Sequence, residues 1–387
     1  MGAASTLNCG VSRMLGRSPH EPHRVASPLE LFFDLVFVVA VSQASQNLHH
    51  GIVAGHAATA TLAYAMIFFA IWWAWMNFTW FASAFDTDDW LYRSMTILQM
   101  GGVLVLAAGV PGAMTEGSWT LVTFGYVIMR IAMIGQWVRL AVSDPAHRVV
   151  ATRCATGIAV VQLCWVARLA LPAEAQMWTF WLAAALEMLV PVWAERRQQT
   201  PWHPHHVAER FGLFTLILLG ESLLASANAI IDAGAARNAF SGLILLAVTG
   251  LLIAAGMWWM YFSFEQGDRM ATARSGFGFG YGHYVLFAAA GAVSAGIEVE
   301  LDLVTGEAAD LAAPVASAAL AVPVGLFMCA VWLLLLRTRL SAPANVVFLG
   351  AAAAVLLSIV VPLATVVVAA VAVVLAVIVV ETQRARA

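Results

Sequence analysis

The sequence predicts an all-α polytopic membrane protein of about twelve transmembrane helices, laid out as two parallel-oriented six-helix repeats. Three observations predict it. The chain of 387 residues is 62% hydrophobic and 11% charged, whereas a soluble domain carries about 25% charge. Its apolar stretches repeatedly reach the ~20 residues that a helix needs to cross the hydrocarbon core. Short motifs also recur between the two halves, with the differences in spacing absorbed by loops.

Each element follows in order. Residues 1–28 hold Arg13, Arg17 and Arg24 but no apolar core, so no cleaved signal is expected and this segment reads as a cytoplasmic tail. Spans are expected over 29–49, 56–83, 90–110, 118–142, 148–171 and 176–194, which make up a first repeat, 29–194. The polar stretch "ERRQQTPWHPHHV", 195–207, is the expected cytoplasmic linker. The second repeat, 208–381, is expected as spans 208–231, 239–264, 279–298, 313–336, 344–361 and 363–380, the last two divided only by Pro362. Residues 382–387 form a short cytoplasmic tail.

With the N-terminus inside, this layout puts 16 of the 19 arginines on the cytoplasmic side, as the positive-inside rule requires. The acidic "DTDD" at 86–89 stands on that side as an exception, and the acidic "IEVELDLVTGEAAD" falls outside. The repeat is visible in "PHRVA" (22–26) and "PHHVA" (204–208), and in "WWAWMNF" (72–78) and "WWMYFSF" (258–264). Six spans per repeat is an even number, so the halves share one orientation, related by an axis along the membrane normal.

Charges inside spans mark candidate sites, because an ionisable group cannot face lipid cheaply. Glu30 and Asp34 are one turn apart on one helix face, with Ser45 near the same stripe. They either line a pore or exploit the helix N-terminus, where the dipole favours negative charge, and seal that end with an arginine. In the seventh span Arg210, Glu221 and Asn228 fall on one face, with Glu221 near the bilayer midplane and Gly220 and Ser222 allowing close helix approach. Arg130 and Glu187 are central in spans four and six, the pattern of a structural ion pair between neighbouring helices. Glu30, Asp34 and Glu221 are the expected ion- or proton-handling groups, with Ser45, Arg210, Ser222, Asn228, Arg130 and Glu187 in support.

Other motifs point away from chemistry. The tryptophan runs read as packing or an interfacial belt. The histidines at 49, 50 and 56, and at 203, 205 and 206, lack fixed metal-ligand spacing. "GFGFGYG" at 276–282 lacks the strand and lysine of a phosphate loop and reads as a flexible entry to the ninth span. Four cysteines show no paired spacing. No metal, cofactor or nucleic acid is expected; the expected partners are the lipid bilayer, a small ion or polar solute, and a possible second copy.

"SPLELFFDLVFVVAVSQ" (27–43) with "ERFGLFTLILLGESLLA" (209–225) resembles the bacterial low temperature requirement A (LtrA) family across essentially the whole chain. That name records a growth phenotype, so the resemblance implies a bacterial inner-membrane location and little chemistry. A weaker, partial resemblance links Phe32-Phe33-Asp34 and the Arg210–Phe214 spacing to the lysosomal potassium and proton channels, which carry 6+6 repeats with a pore-lining first helix in each. Pro28, Thr215 and Leu216 depart from that pattern. The function expected is therefore a permease or channel. The alternatives are an intramembrane enzyme or sensor acting on a lipid-soluble substrate, and a non-transporting component needed for growth in the cold.

Overall fold

A computed structural model describes residues 10–19, 21, 24–235, 240–267 and 273–385. Arg237, Arg269, Arg386, Cys9 and the Pro22–His23 pair of the first repeat motif lie outside the described residues, as does the side chain of Arg274. The helices are α1 (Pro28–Val53), α2 (Ala57–Phe85), α3 (Trp90–Thr115), α4 (Thr120–Ser143), α5 (Arg148–Arg168), α6 (Ala173–Ala194), α7 (Pro204–Ala235), α8 (Phe240–Phe262), α9 (Ala273–Thr305), α10 (Ala313–Val331), α11 (Ala342–Leu357) and α12 (Thr365–Arg384). All twelve expected spans are helices long and apolar enough to cross a membrane, and no strand occurs among the described residues. Helices satisfy their own backbone groups, which lipid demands.

The boundaries differ most at α7 and α9. The linker is shorter than expected, because α7 starts at Pro204. Proline suits a first turn, whose N–H has no intrahelical acceptor to lose. α9 begins before "GFGFGYG", so that motif is helical rather than a flexible entry. Here glycine serves packing: a Cβ at Gly282 would meet Leu334 at 2.5 Å. At its other end α9 runs to Thr305, past the expected end at 298, and takes in Glu300 and Asp302. α10 continues through a π-helical turn, Trp332–Leu336, and short 3-10 turns around Pro362 separate α11 from α12.

The chain forms two compact units. One comprises residues 1–37, 73–109 and 119–207; the other 38–72, 110–118 and 208–387. In the first, α5 packs between α4 and α6. A Cβ at Gly125 would meet the backbone of Leu106 at 2.4 Å, so α3 and α4 touch backbone to backbone. In the second, α9 packs along α10, and α12 against α8 and α11. At Gly296 a Cβ would meet Ala319 O at 2.5 Å, which fixes that α9–α10 crossing.

Ser12, Gly16, Arg17 and Arg24, in the segment expected as a cytoplasmic tail, bond to residues of the first unit. Ser12 N–H donates to Asp89 (2.8 Å), Gly16 N–H to Asp144 (3.1 Å), Arg17 N–H to Ala84 O (2.9 Å), and Arg24 to Ala82 O (2.8 Å). This segment explains the acidic exception at 86–89. Asp86 faces Arg17 (3.8 Å) and Arg24 (4.0 Å), Asp88 pairs with Arg93 (2.8 Å), and Asp89 with Arg139.

Candidate functional site

Glu30 sits in the first turn of α1 and completes a capping box. Ser27 Oγ accepts from the Glu30 N–H (3.3 Å), and Glu30 Oε2 accepts from the Ser27 N–H (2.8 Å). Two donors that a helix start leaves open are thereby satisfied. Its charge faces His206 in the first turn of α7, Nε2 to Oε1 3.2 Å, with both side chains at most 1% exposed. The carboxylate thus seals a helix end, with His206 as one partner and Arg24 within Coulombic range. The Ser-x-x-Glu spacing at 27–30 was the sequence signal for the box.

One turn on, Asp34 is 1% exposed and accepts from Trp75 Nε1 at 2.7 Å. That tryptophan belongs to the "WWAW" run, which is neither a belt nor mere filler: Trp72, Trp73 and Trp75 are fully buried, and two of them donate to carboxylates. Ser45 ties α1 to α9, donating to Gly291 O at 2.8 Å. Glycine is needed there, because a Cβ would lie 2.7 Å from the Tyr64 hydroxyl.

Arg130 and Glu187 do pair, at 3.2 Å, each 1% exposed. Glu187 also accepts from Trp73 Nε1 (2.9 Å), the Tyr126 hydroxyl (3.1 Å) and Trp165 Nε1 (3.2 Å). Arg130 donates to Tyr126 as well. Donors from α2, α4 and α5 converge on one carboxylate of α6. Such saturation is what makes a buried charge tolerable. Sequence reasoning found the two charges by depth but missed the three aromatic donors, which carry no mark of which helix they face.

Glu221 differs. It lies a few residues past the centre of the span Pro204–Ile231, about 5 Å beyond it at 1.5 Å per residue. Its side chain is half-buried, with the Ser42 hydroxyl of α1 nearby. Among the described residues it has no ion-pair partner. Its stripe mates occupy different surroundings: Arg210 is fully buried, as is the neighbouring Ser222, and Asn228 lines an open cavity.

That cavity, about 340 Å³, is lined by Gln46, His49 and His50 of α1, Asn228 of α7, and Glu298 and Asp302 of α9, with two leucine-like neighbours. Glu298 and Asp302 are i and i+4 on one face of α9, and the His49 ring stands between them. Nε2 lies 2.7 Å from Asp302 Oδ2, and Nδ1 lies 3.5 Å from Glu298 Oε2. The sequence offered the histidines only as weak metal ligands, and set Glu298 at the end of a span and Asp302 beyond it. Among the described residues no group of three such side chains is placed to hold a metal ion.

Outside the spans, burial pushes Asp86 up to about 6, with Arg24 and Arg17 pulling against it. Glu195, at the end of α6, is pushed up to about 7 by burial, with the Thr200 hydroxyl bond (2.6 Å) opposing. His203, between α6 and α7, is lowered, mainly by burial.

Twelve apolar helices with ionised groups sequestered among them define a polytopic integral membrane protein. The family model of the bacterial low temperature requirement A protein (LtrA) matches residues 25–380, and the chain belongs to that family. It is similar to an uncharacterized protein of Rhizobium meliloti (strain 1021), 28% identical over 251 residues, covering 61% of this chain and 58% of the relative. The chain therefore spans under two thirds of the curated relative it matches. No solved structure matches it, so the partial resemblance to lysosomal channels gains no support there.

Proposed function

We propose that this protein is a permease or channel for a small ion or polar solute, in which membrane-embedded carboxylates handle cations or protons. The observation that carries the reading is the contrast in solvation of its deep carboxylates. Glu187 is saturated by four donors, whereas Glu221 is half-buried and near mid-span, with the Ser42 hydroxyl nearby. A carboxylate is costly at that depth, and one left without a counter-charge is free to exchange a proton or meet a passing cation. Asp34 and Glu30 stand toward the other end of α1 and serve cation entry, Asp34 oriented by Trp75. In this reading the halves 29–194 and 208–381 are parallel repeats, both termini are cytoplasmic, and the carboxyl end of α1 faces outward.

Flux through proteoliposomes tests it, with a panel of alkali cations and an internal pH dye. Expected is a flux that Glu221→Gln deprives of its pH dependence and that Asp34→Asn weakens from the cytoplasmic side. Empty-vesicle rates for every cation and for protons would sink the reading.

A further inference from the structure

The cavity at the carboxyl ends of α1, α7 and α9 holds a second arrangement of titratable groups. An imidazole can accept a proton on one nitrogen while releasing one from the other. His49 is placed for both: its two nitrogens face different carboxylates, Nε2 toward Asp302 at 2.7 Å and Nδ1 toward Glu298 at 3.5 Å. The two acids lie one turn apart along α9, which separates them by about 6 Å. The ring bridges that gap instead of converging with both acids on one point, the arrangement a metal would need. Gln46, His50 and Asn228 add polar groups to the wall beside Ile231 and Leu301, and water in such a space finds hydrogen-bond partners. Glu298 lies within Coulombic range of Glu221.

We propose that Asp302, His49 and Glu298 form a proton relay from the outer water to Glu221, with His49 as the shuttle. Asp302 takes a proton from water and passes it to Nε2. The Nδ1 proton moves to the Glu298 carboxylate, and the ring is left as the other neutral tautomer. One proton has moved from Asp302 to Glu298 and net charge is unchanged. Ring rotation resets His49, and Glu298 passes its proton to Glu221 through cavity water. Among the described residues, the titratable groups facing His49 are Glu298 and Asp302 of α9 and the adjacent His50, 5.1 Å ring to ring. The relay rests on Glu221 being the internal proton site of the proposed function.

The test reads protonation of Glu221 itself, so it stands apart from any flux result. Reconstituted protein is given a pH jump, and the carboxylic C=O stretch that disappears in Glu221→Gln is followed by time-resolved infrared spectroscopy. His49→Ala is expected to slow that protonation roughly tenfold or more, as loss of a positioned proton carrier does, while leaving the midpoint of the titration in place. Added imidazole is expected to restore the rate in His49→Ala, and Glu298→Gln to show a slowing that imidazole does not restore. An unchanged rate in His49→Ala overturns the relay. So does a slowing that imidazole leaves untouched, or the absence of a titrating Glu221 band. Should the relay hold while Glu221→Gln leaves flux unaltered, the transport reading falls and the proton path stands.

Discussion

Glu187 in one unit and Glu221 in the other are both carboxylates well inside apolar helices, and they are solvated in opposite ways. Around Glu187 an arginine, a tyrosine and two tryptophans supply every bond a carboxylate needs, and no part of the group is left to exchange. Around Glu221 there is a serine hydroxyl and a half-open surface, and farther along α7 a cavity whose acids flank a histidine. Depth alone therefore does not distinguish a structural charge from a working one. The number and rigidity of donors does, because a fully paired group gains nothing from binding anything else.

The largest effect should come from breaking the closed centre. Removing one partner of a buried pair costs about 3–5 kcal/mol, because the other charge is left uncompensated. Glu187→Ala should therefore lower the detergent-solubilised melting temperature steeply. Arg130→Met combined with Glu187→Met should recover part of the loss, since no charge is then stranded. Glu221→Gln should shift the melt by less than about 1 kcal/mol, the range of a hydrogen bond exchanged for another. Equal destabilisation by Glu187→Ala and Glu221→Gln would erase the contrast.

Asp86 gives a pH-dependent comparison outside the spans. Its value rises from an ordinary 3.8 to about 6 because burial penalises the charged form. The folded state thus favours the neutral acid. The associated stability is fully present below pH 3.8 and is lost as pH rises through about 6. The loss is at most about 3 kcal/mol, reckoned at 1.36 per pKa unit. Stability measured between pH 4 and 6 should fall in the native protein and stay level in Asp86→Asn. A level profile in both would show that Arg17 and Arg24 fully offset the burial.

How much of this was legible in the sequence follows from what lies local to a helix and what crosses between helices. Twelve spans were legible because lipid forces long apolar windows, and Arg130 and Glu187 stood out against theirs. The ends of α7 and α9 were not, because polar residues and glycines near a membrane surface look the same in a loop or in a helix that projects past the core. "GFGFGYG" read as flexible, yet Gly282 is a contact with Leu334 in a continuous helix. The aromatic donors to Asp34 and Glu187 were illegible for another reason: a tryptophan run contains every helical direction, and only the packed helices decide which ring turns toward which acid. His49 with Glu298 and Asp302 joins residues some 250 positions apart, and no spacing announces that.

Within the helix packing, Gly291 and Ser45 test the crossing of α1, α2 and α9. Gly291→Ala would place a Cβ 2.7 Å from the Tyr64 hydroxyl, which itself donates to Ala288 O at 2.8 Å. Overpacking of this kind costs about 1–3 kcal/mol. Ser45→Ala removes one hydrogen bond and should cost about 1 kcal/mol. A thermal melt that moves less for Gly291→Ala than for Ser45→Ala would mean the helices can separate there without loss.

The smallest effect concerns Glu30, whose two roles can be pulled apart. As the last member of a capping box it accepts from the Ser27 N–H, and as a charge it faces His206. Ser27→Ala removes the side chain that accepts from the Glu30 N–H, and loss of an N-cap costs about 1 kcal/mol. Glu30→Gln keeps an oxygen for the Ser27 N–H and removes the charge. If Glu30 is chiefly a cap, Ser27→Ala should destabilise more than Glu30→Gln in a melt. If its pairing with buried His206 matters more, the order should reverse. A Glu30→Gln variant that melts normally and yet loses cation flux would instead group Glu30 with Asp34 and Glu221, the carboxylates proposed to handle ions.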